Sequence, residues 1–355
     1  MLFNGIDFEK NLDEVLKFQD KVLKGINVIQ EVQVSGVDST PKDLVYSEDK
    51  MKLYHYKSTH ETKVKIPTLI VYALVNKQYM MDIQEDRSMI KNLQNKGLDL
   101  YIVDWGYPAK EDMYLTMDDY INGYINNCVD HIRKEKGVDK VNLLGVCQGG
   151  TFSTIYSSIY PEKINTLTTM VTPIDFDVET DALLFKWSKH LNIDSMVDAF
   201  GVIPGSFMNS GYMALKPFQL ALDKYVDLLD DIDNPEKFEN FLRMEQWIFD
   251  SPGQAGEAIR QFVNDLYKEN KLVKGELVIG DKKVNLKNIN MPILNIYAEY
   301  DHLVPPVSSR RLNDLVSSKD KELVSFKTGH IGMYVSSKSQ TQVAPKIAEF
   351  TITRD

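Results

Sequence analysis

Two cysteines, Cys128 and Cys147, stand in a chain of 355 residues. That is too few for a disulfide framework, and it fits a reducing compartment in which a lone cysteine is either core filler or a nucleophile. Basic residues are also outnumbered: 41 Lys and Arg against 51 Asp and Glu leave a formal net charge of −10. Such a balance disfavours non-specific attraction to nucleic acid or to an anionic membrane surface. Long apolar runs are missing. The longest, around Ile66 to Val75, is too short to span a bilayer, so no transmembrane segment is expected. The first residues, MLFNGIDFEKNLDEVLKF, are broken by charges every few positions and lack an apolar h-region, which predicts no signal peptide. Metal-ligand spacing, a P-loop and a Gly-rich dinucleotide fingerprint are all absent, as is a basic stripe interleaved with aromatics. The expectation is a cytoplasmic protein with no metal, no resident cofactor and no nucleic-acid partner.

What is present is an alternation of strand and helix patterns. Residues 1–42 read as an amphipathic helical lead-in, with Phe8, Leu12, Val15, Leu16 and Phe18 at roughly helical spacing. Val45–Tyr46 and Lys52–Tyr56 then suggest two short strands. From Lys65 the apolar runs IPTLIVYALV, LDLYIVDW, KVNLLGV and INTLTTMVT alternate with helical patterns near Ile83–Asn95 and Met117–Arg133. Short Val-, Ile- and Leu-rich runs bounded by turn residues predict central strands buried on both faces, and the helices supply the crossovers that parallel strands require. The alternation stops after Asp177. Residues 178–283 look mainly helical, with loops at IPGS, DNPEK and DSPGQ, before MPILNIYAEYD and ELVSFKTG restore two strands and APKIAEFTI ends the chain as a helix. The reading is an α/β core in two parts, 43–177 and 284–355, carrying an inserted helical cap at 178–283.

The segment Val141 to Gly150 concentrates the chemistry. A buried strand ends in Gly145-Val146-Cys147-Gln148-Gly149-Gly150 and a helix pattern follows. This strand-turn-helix context is that of a nucleophile elbow in the α/β-hydrolase fold, with Cys147 where most such enzymes carry serine. The nucleophile sits on a tight turn, so residues two positions either side must be nearly free of side chain. The helix N-terminus behind it favours a thiolate and an oxyanion. The bland alternative is a buried structural cysteine beside turn glycines. Cys128, in the helix pattern INGYINNCVDHI, has only that reading.

An elbow nucleophile needs a histidine base and an acid to orient it, in the chain order nucleophile, acid, histidine. His330 follows the last predicted strand in FKTGHIGM, and Asp301 ends the strand before it in ILNIYAEYDHLVPP. Taken singly, His330 could be a surface-loop histidine and Asp301 a turn former. Together, each at the carboxyl end of a strand, they converge on the elbow. The oxyanion donors expected are the backbone N–H of Gln148 and one from the loop ALVNKQYM, near Val75. His302 adjoins the acid as a candidate site-lining residue, while His55, His60, His131 and His190 read as solvated or structural. The aromatics Phe176, Phe185, Trp187, Phe200, Phe207, Tyr212, Phe218 and Trp247 read as cap packing, with an apolar tunnel lining as the alternative.

With these motifs in view, the chain resembles the catalytic subunit of polyhydroxyalkanoate synthases, in the short two-subunit type (class III, with class IV as the alternative). The resemblance rests on LIVYALVNKQYMMDI, YIVDWG, GVCQGG, TPIDF, Gln246-Trp247, GELVIGDKKVNLKNINMPILNI, DHLVPP and TGH, across nearly the whole length. Gln78 departs from the pattern, which has proline there, and predicts a changed loop near the oxyanion donor. The resemblance implies that Cys147 is the nucleophile, Asp301 the acid and His330 the base. The substrate implied is an (R)-3-hydroxyacyl-CoA, with 3-hydroxybutyryl-CoA the expected monomer, polymerised onto a growing polyester chain with release of CoA. A homodimer, a non-catalytic accessory subunit and a place at the surface of polyester granules are implied as well. Two other readings stay open on residues alone: a cysteine-type thioesterase or lactone hydrolase on the same scaffold, and a non-catalytic granule-binding scaffold.

Overall fold

The computed structural model describes residues 37–58, 60–215 and 234–355. The lead-in expected over 1–42 therefore lies almost wholly outside the described residues, as does Phe218. The central sheet has eight strands: β1 (Lys42–Glu48), β2 (Met51–Tyr56), β3 (Thr68–Val71), β4 (Leu100–Asp104), β5 (Val141–Val146), β6 (Ile164–Met170), then, after the helical block, β11 (Ile293–Ala298) and β12 (Lys321–Phe326). They lie in the order β1-β2-β4-β3-β5-β6-β11-β12. The β1–β2 and β2–β4 pairs are antiparallel and the rest are parallel. This is the mostly parallel α/β-hydrolase sheet that the alternation predicts.

The central strands β3 and β5 are buried along their whole length because both faces of the sheet are covered. Along β3, Leu69 and Val71 pack into one apolar cluster and Ile70 into another on the opposite face; along β5, Leu143 faces the first, and Leu144 and Val146 the second. The period of two carries each strand's side chains alternately into two cores. Each strand stops where its residues must leave the ladder to build a loop, so β3 is shorter than the apolar run that announces it. The helix expected from Ile83 begins only at Met89, where the Ser88 side chain caps it by accepting from the Lys91 N–H at 3.0 Å. The pattern from Met117 becomes a wide turn at Asp119–Ile125 running into helix Asn126–Lys136.

Between β6 and β11 the described chain is mainly helical, through Leu183–His190, Ile193–Phe200, Gly205–Leu215, Pro235–Phe249 and Gly256–Gln261. Two stretches read as loops contribute more than loops. Val202–Ile203 (β7) and Gln254–Ala255 (β8) pair as a small antiparallel ladder, and Val278–Ile279 (β9) with Lys282–Lys283 (β10) form a hairpin. A Cβ on Gly256 would fall on the carbonyl of Gly201, so only glycine lets the two ends of this ladder approach.

The chain crosses from one side of β3 to the other between β4 and β5, and this reversal leaves the carboxyl ends of β3 and β5 side by side, with Val71 opposite Gly145. Open α/β sheets place their sites at such switch points.

Candidate active site

Cys147 follows β5 directly and starts the helix Gln148–Ile159, with φ 53° and ψ −124°. A left-handed φ is uncommon for a residue with a Cβ and costs of order 1–3 kcal/mol, so the surroundings must hold it. They do so from both sides. The Cys147 N–H donates to the Met170 carbonyl at 2.9 Å, and its own carbonyl accepts from Gly150 N–H at 2.9 Å and Thr151 N–H at 3.3 Å. The glycines serve close approach. A Cβ on Gly145 would collide with Gly150, and one on Gly149 would fall on the carbonyls of Val71 and Tyr72 in the neighbouring loop. The elbow's glycine spacing thus brings strand, helix and the loop after β3 into contact.

Asp301 and His330 meet as expected. His330 Nδ1 lies 2.7 Å from Asp301 Oδ2, both side chains almost wholly buried. The carboxylate must accept, so Nδ1 carries the proton and Nε2 is left for other work. The other oxygen, Oδ1, accepts from the N–H groups of Leu303 and Val304, each at 2.9 Å. The turn-forming and histidine-orienting readings of Asp301 are therefore both true, one on each oxygen. Main-chain bonds from Glu299 N–H to Phe326 and from Tyr300 N–H to Thr328 tie together the two loops that carry Asp301 and His330.

Cys147 lies close enough for its charge to act on His330. Burial works against the charged imidazolium, yet the charges of Asp301 and Cys147, with the hydrogen bond to Asp301, outweigh it and raise the group to about 10. The Tyr334 hydroxyl lies 3.3 Å from His330 Nε2. Its ring meets that of Tyr72 edge-on at 6.1 Å. Burial raises both phenols well above their ordinary value, so their hydroxyls keep their protons beside the thiol. Sequence reasoning missed Tyr334; its spacing four residues after His330 was the only signal.

The loop after β3 is held from several directions. Trp105 Nε1 donates to the Tyr72 carbonyl at 3.0 Å, and the Leu74 N–H donates to the Gln148 side-chain oxygen at 3.1 Å. Gln254 Nε2 donates to the Leu74 carbonyl at 2.8 Å, and Trp247 Nε1 to the Lys77 carbonyl at 2.8 Å. Among the described residues no hydrogen bond is recorded for the Val75 N–H. The N–H groups of Gln148 and Gly149 open their helix and so have no carbonyl four residues back. Gln78 opens the short turn Gln78–Met81, and Lys77 before it is extended at ψ 141°. Proline tolerates that first position and favours that preceding conformation. The backbone at Gln78 is therefore one that proline would also accept.

The remaining candidates separate. Trp247 is buried against the apolar cluster that also contacts Cys147. His302 is half-buried beside the acid. Phe176 and Phe185 stack at 6.0 Å inside the core, whereas Trp187, Phe200 and Phe207 are each close to half exposed. His55 stacks on Tyr101 and bonds Asp99, His131 pairs with Glu135, and His60 and His190 are exposed. No cluster of metal-ligating side chains occurs among the described residues, and no described helix is long and apolar enough to cross a membrane.

Comparison with known proteins adds the wider context. The family model described as alpha/beta hydrolase fold matches residues 68–337, and the one described as Poly-beta-hydroxybutyrate polymerase (PhaC) N-terminus matches residues 12–93. The poly(3-hydroxyalkanoate) polymerase subunit PhaC of Allochromatium vinosum is 50% identical over 344 residues, covering 96% of this chain and 97% of its own. That of Synechocystis sp. is 49% identical over 360 residues, covering 99% and 95%. That of Haloferax mediterranei is 41% identical, covering 96% of this chain and 70% of its own. Among solved structures, a membrane phospholipase A is 15% identical with TM-score 0.55 over 98% of this chain and 99% of its own. A thermophilic esterase from Thermogutta terrifontis is 13% identical with TM-score 0.52 over 88% and 98%. At such identities the solved structures show the fold alone.

Proposed function

The chain belongs to the PhaC family of poly(3-hydroxyalkanoate) polymerase subunits, and from that membership we propose that Cys147 is the residue that carries the growing acyl group. The observation that supports this most directly is the buried His330–Asp301 pair at the strand ends, with the proton of Nδ1 committed to Asp301 and the charge of Cys147 acting on the ring. His330 Nε2, with its raised pKa, already holds the proton given up by the Cys147 thiol, and the Cys147 sulfur attacks the thioester carbonyl of an (R)-3-hydroxyacyl-CoA. The oxyanion is met by the N–H groups of Gln148 and Val75. The bond to the CoA sulfur then breaks, and His330 returns the proton to that sulfur. In the second half-reaction a 3-hydroxyl attacks the acyl-enzyme, His330 accepts its proton, the bond to Cys147 breaks and the proton returns to the thiol. One ester bond is formed and one CoA released.

A cysteine suits this sequence because thioester exchange costs little, so the acyl group stays activated until an alcohol arrives. The competing reaction is attack by water, which the site must exclude. We assign that exclusion to the cap, residues 178–283, with buried Trp247 fixed to the loop beside the nucleophile. Identity to polymerase subunits over nearly the full chain sets aside the thioesterase, lactone-hydrolase and scaffold readings. Work in the cytoplasm at granule surfaces, as a homodimer with an accessory subunit, belongs to the same proposal, and the word "subunit" in the relatives' names supports the last part. The test is to incubate the protein, with its accessory subunit, with (R)-3-hydroxybutyryl-CoA and to follow free CoA and turbidity. CoA release with polymer is expected. Release with only free hydroxyacid would indicate a hydrolase, and no release a scaffold.

A further inference from the structure

Two glutamines grip Leu74 by its two backbone polar groups. Gln148, on the elbow, accepts from the Leu74 N–H, and Gln254 donates to the Leu74 carbonyl. The carbonyl of Leu74 and the N–H of Val75 belong to one peptide unit, and no cis peptide occurs in the described chain. In a trans peptide these two groups point in opposite directions. Whatever holds the Leu74 carbonyl therefore sets the direction of the Val75 N–H. Gln254 is 2% exposed, and its backbone is fixed in the ladder with Ile203. The same segment is latched to the loop and its neighbours by Asn76 to Ser251 at 2.6 Å, and by Tyr79 and Tyr107, which donate to the two oxygens of Asp250 at 2.9 and 2.5 Å.

We propose that Gln254 is a positioning residue for acyl transfer: by holding the Leu74 carbonyl it aims the Val75 N–H at the oxyanion formed on Cys147. The inference rests on the assignment of Val75 as an oxyanion donor. It makes that donor a property of the inserted segment as well as of the core, since the hole is complete only while the strand bearing Gln254 is seated on the loop. A donor aimed by an outside side chain works like an orienting group behind a ligand, where loss of the orienting partner typically costs ten- to a hundredfold.

The experiment compares Gln254→Met, Gln254→Glu, Val75→Pro and the double variant Gln254→Met/Val75→Pro. The readouts are kcat and KM for CoA release from (R)-3-hydroxybutyryl-CoA, and the rate at which iodoacetamide alkylates Cys147. Alkylation needs the thiolate and its histidine but forms no oxyanion, so it reports an intact triad independently. The expectation for both Gln254 variants is a fall in kcat of about 10- to 100-fold, with KM and alkylation nearly unchanged. Val75→Pro, which removes the donor, should lose about 10²–10³ in kcat. The double variant should be no slower than Val75→Pro alone, because a clamp cannot aim a donor that is gone. If Val75→Pro is slow but the Gln254 variants retain kcat, the positioning role is wrong while the donor assignment stands. If Val75→Pro alkylates normally and retains kcat, the donor assignment fails and the inference with it. Parallel losses of kcat and alkylation in the Gln254 variants, or multiplying effects in the double variant, would also overturn it.

Discussion

Cys128 lies inside the helix Asn126–Lys136 with no exposed surface, its Sγ 3.6 Å from Met51 Sδ and burial raising its thiol pKa far above the ordinary range. Cys147 is half-buried at the end of β5, in a left-handed conformation, at a helix N-terminus and within electrostatic reach of His330. The side chains are identical, so the difference in chemistry that the proposed function requires has to come from what surrounds them. Around Cys128 the backbone is satisfied by its helix and the buried sulfur rests on Met51 Sδ, with no histidine among the groups that shift its thiol. Around Cys147 strand, turn and helix leave unpaired N–H groups, and two further strand ends deliver a histidine and its carboxylate. On the proposed function, reactivity is set by the sheet's switch point and not by the residue type.

The contrast is sharpest in turnover. Cys147→Ala should lower CoA release by at least about 10³-fold, while Cys128→Ala should leave it within about twofold. Steady-state assays of the two variants decide this, and comparable losses would erase the distinction. Next in size is Asp301→Asn, which keeps the shape but lets the imidazole take the wrong tautomer; kcat should fall about 10³- to 10⁴-fold. The same variant should slow iodoacetamide labelling of Cys147, and unchanged labelling would mean that Asp301 does not act through His330. In the unmodified protein, labelling should be confined to Cys147 under native conditions and reach Cys128 only in denaturant, as peptide mass spectrometry would reveal.

Smaller effects fall on stability. Cys128→Ser puts a hydroxyl in the fully buried place of a sulfur packed on Met51 Sδ and should cost about 1–3 kcal/mol, read as a lower urea midpoint. Cys147→Ser should cost much less, since that position already faces polar groups. The pH dependence has a defined sign. Folded His330 holds its proton to about 10 against about 6.5 for an unfolded histidine. The stabilisation from its charged pair with Asp301 is therefore complete below about pH 6.5 and is lost as pH rises toward 10. Urea midpoints should fall over that window in the parent protein and change less in Asp301→Asn. Equal slopes would show that the pair contributes nothing.

The site was legible in sequence to the extent that it depends on strand ends. Gly145, Cys147 and Gly149 announce the elbow because tight approach allows few residues, and Asp301 and His330 follow from where the last two strands stop. What was not legible depends on side chains meeting across long separations: Gln254 on Leu74, Trp247 on Lys77, and Tyr79 with Tyr107 on Asp250. A glutamine carries no periodic signal, and a ladder as short as β7–β8, flanked by glycine and proline, reads as two loops. The helix expected from Ile83 fails for a local reason: Ser88 caps later than the apolar pattern begins. The half-exposed Trp187, Phe200 and Phe207 show that aromatic content alone does not separate packing from surface.

The central claim is that the acyl group rides on Cys147. The most direct test is intact-protein and peptide mass spectrometry after a brief pulse of (R)-3-hydroxybutyryl-CoA, quenched in acid. The account predicts a hydroxylamine-labile acyl adduct on the peptide containing Cys147, absent from Cys147→Ala and never found on Cys128. Continued CoA release with no adduct on Cys147, or an adduct on another residue, would contradict it.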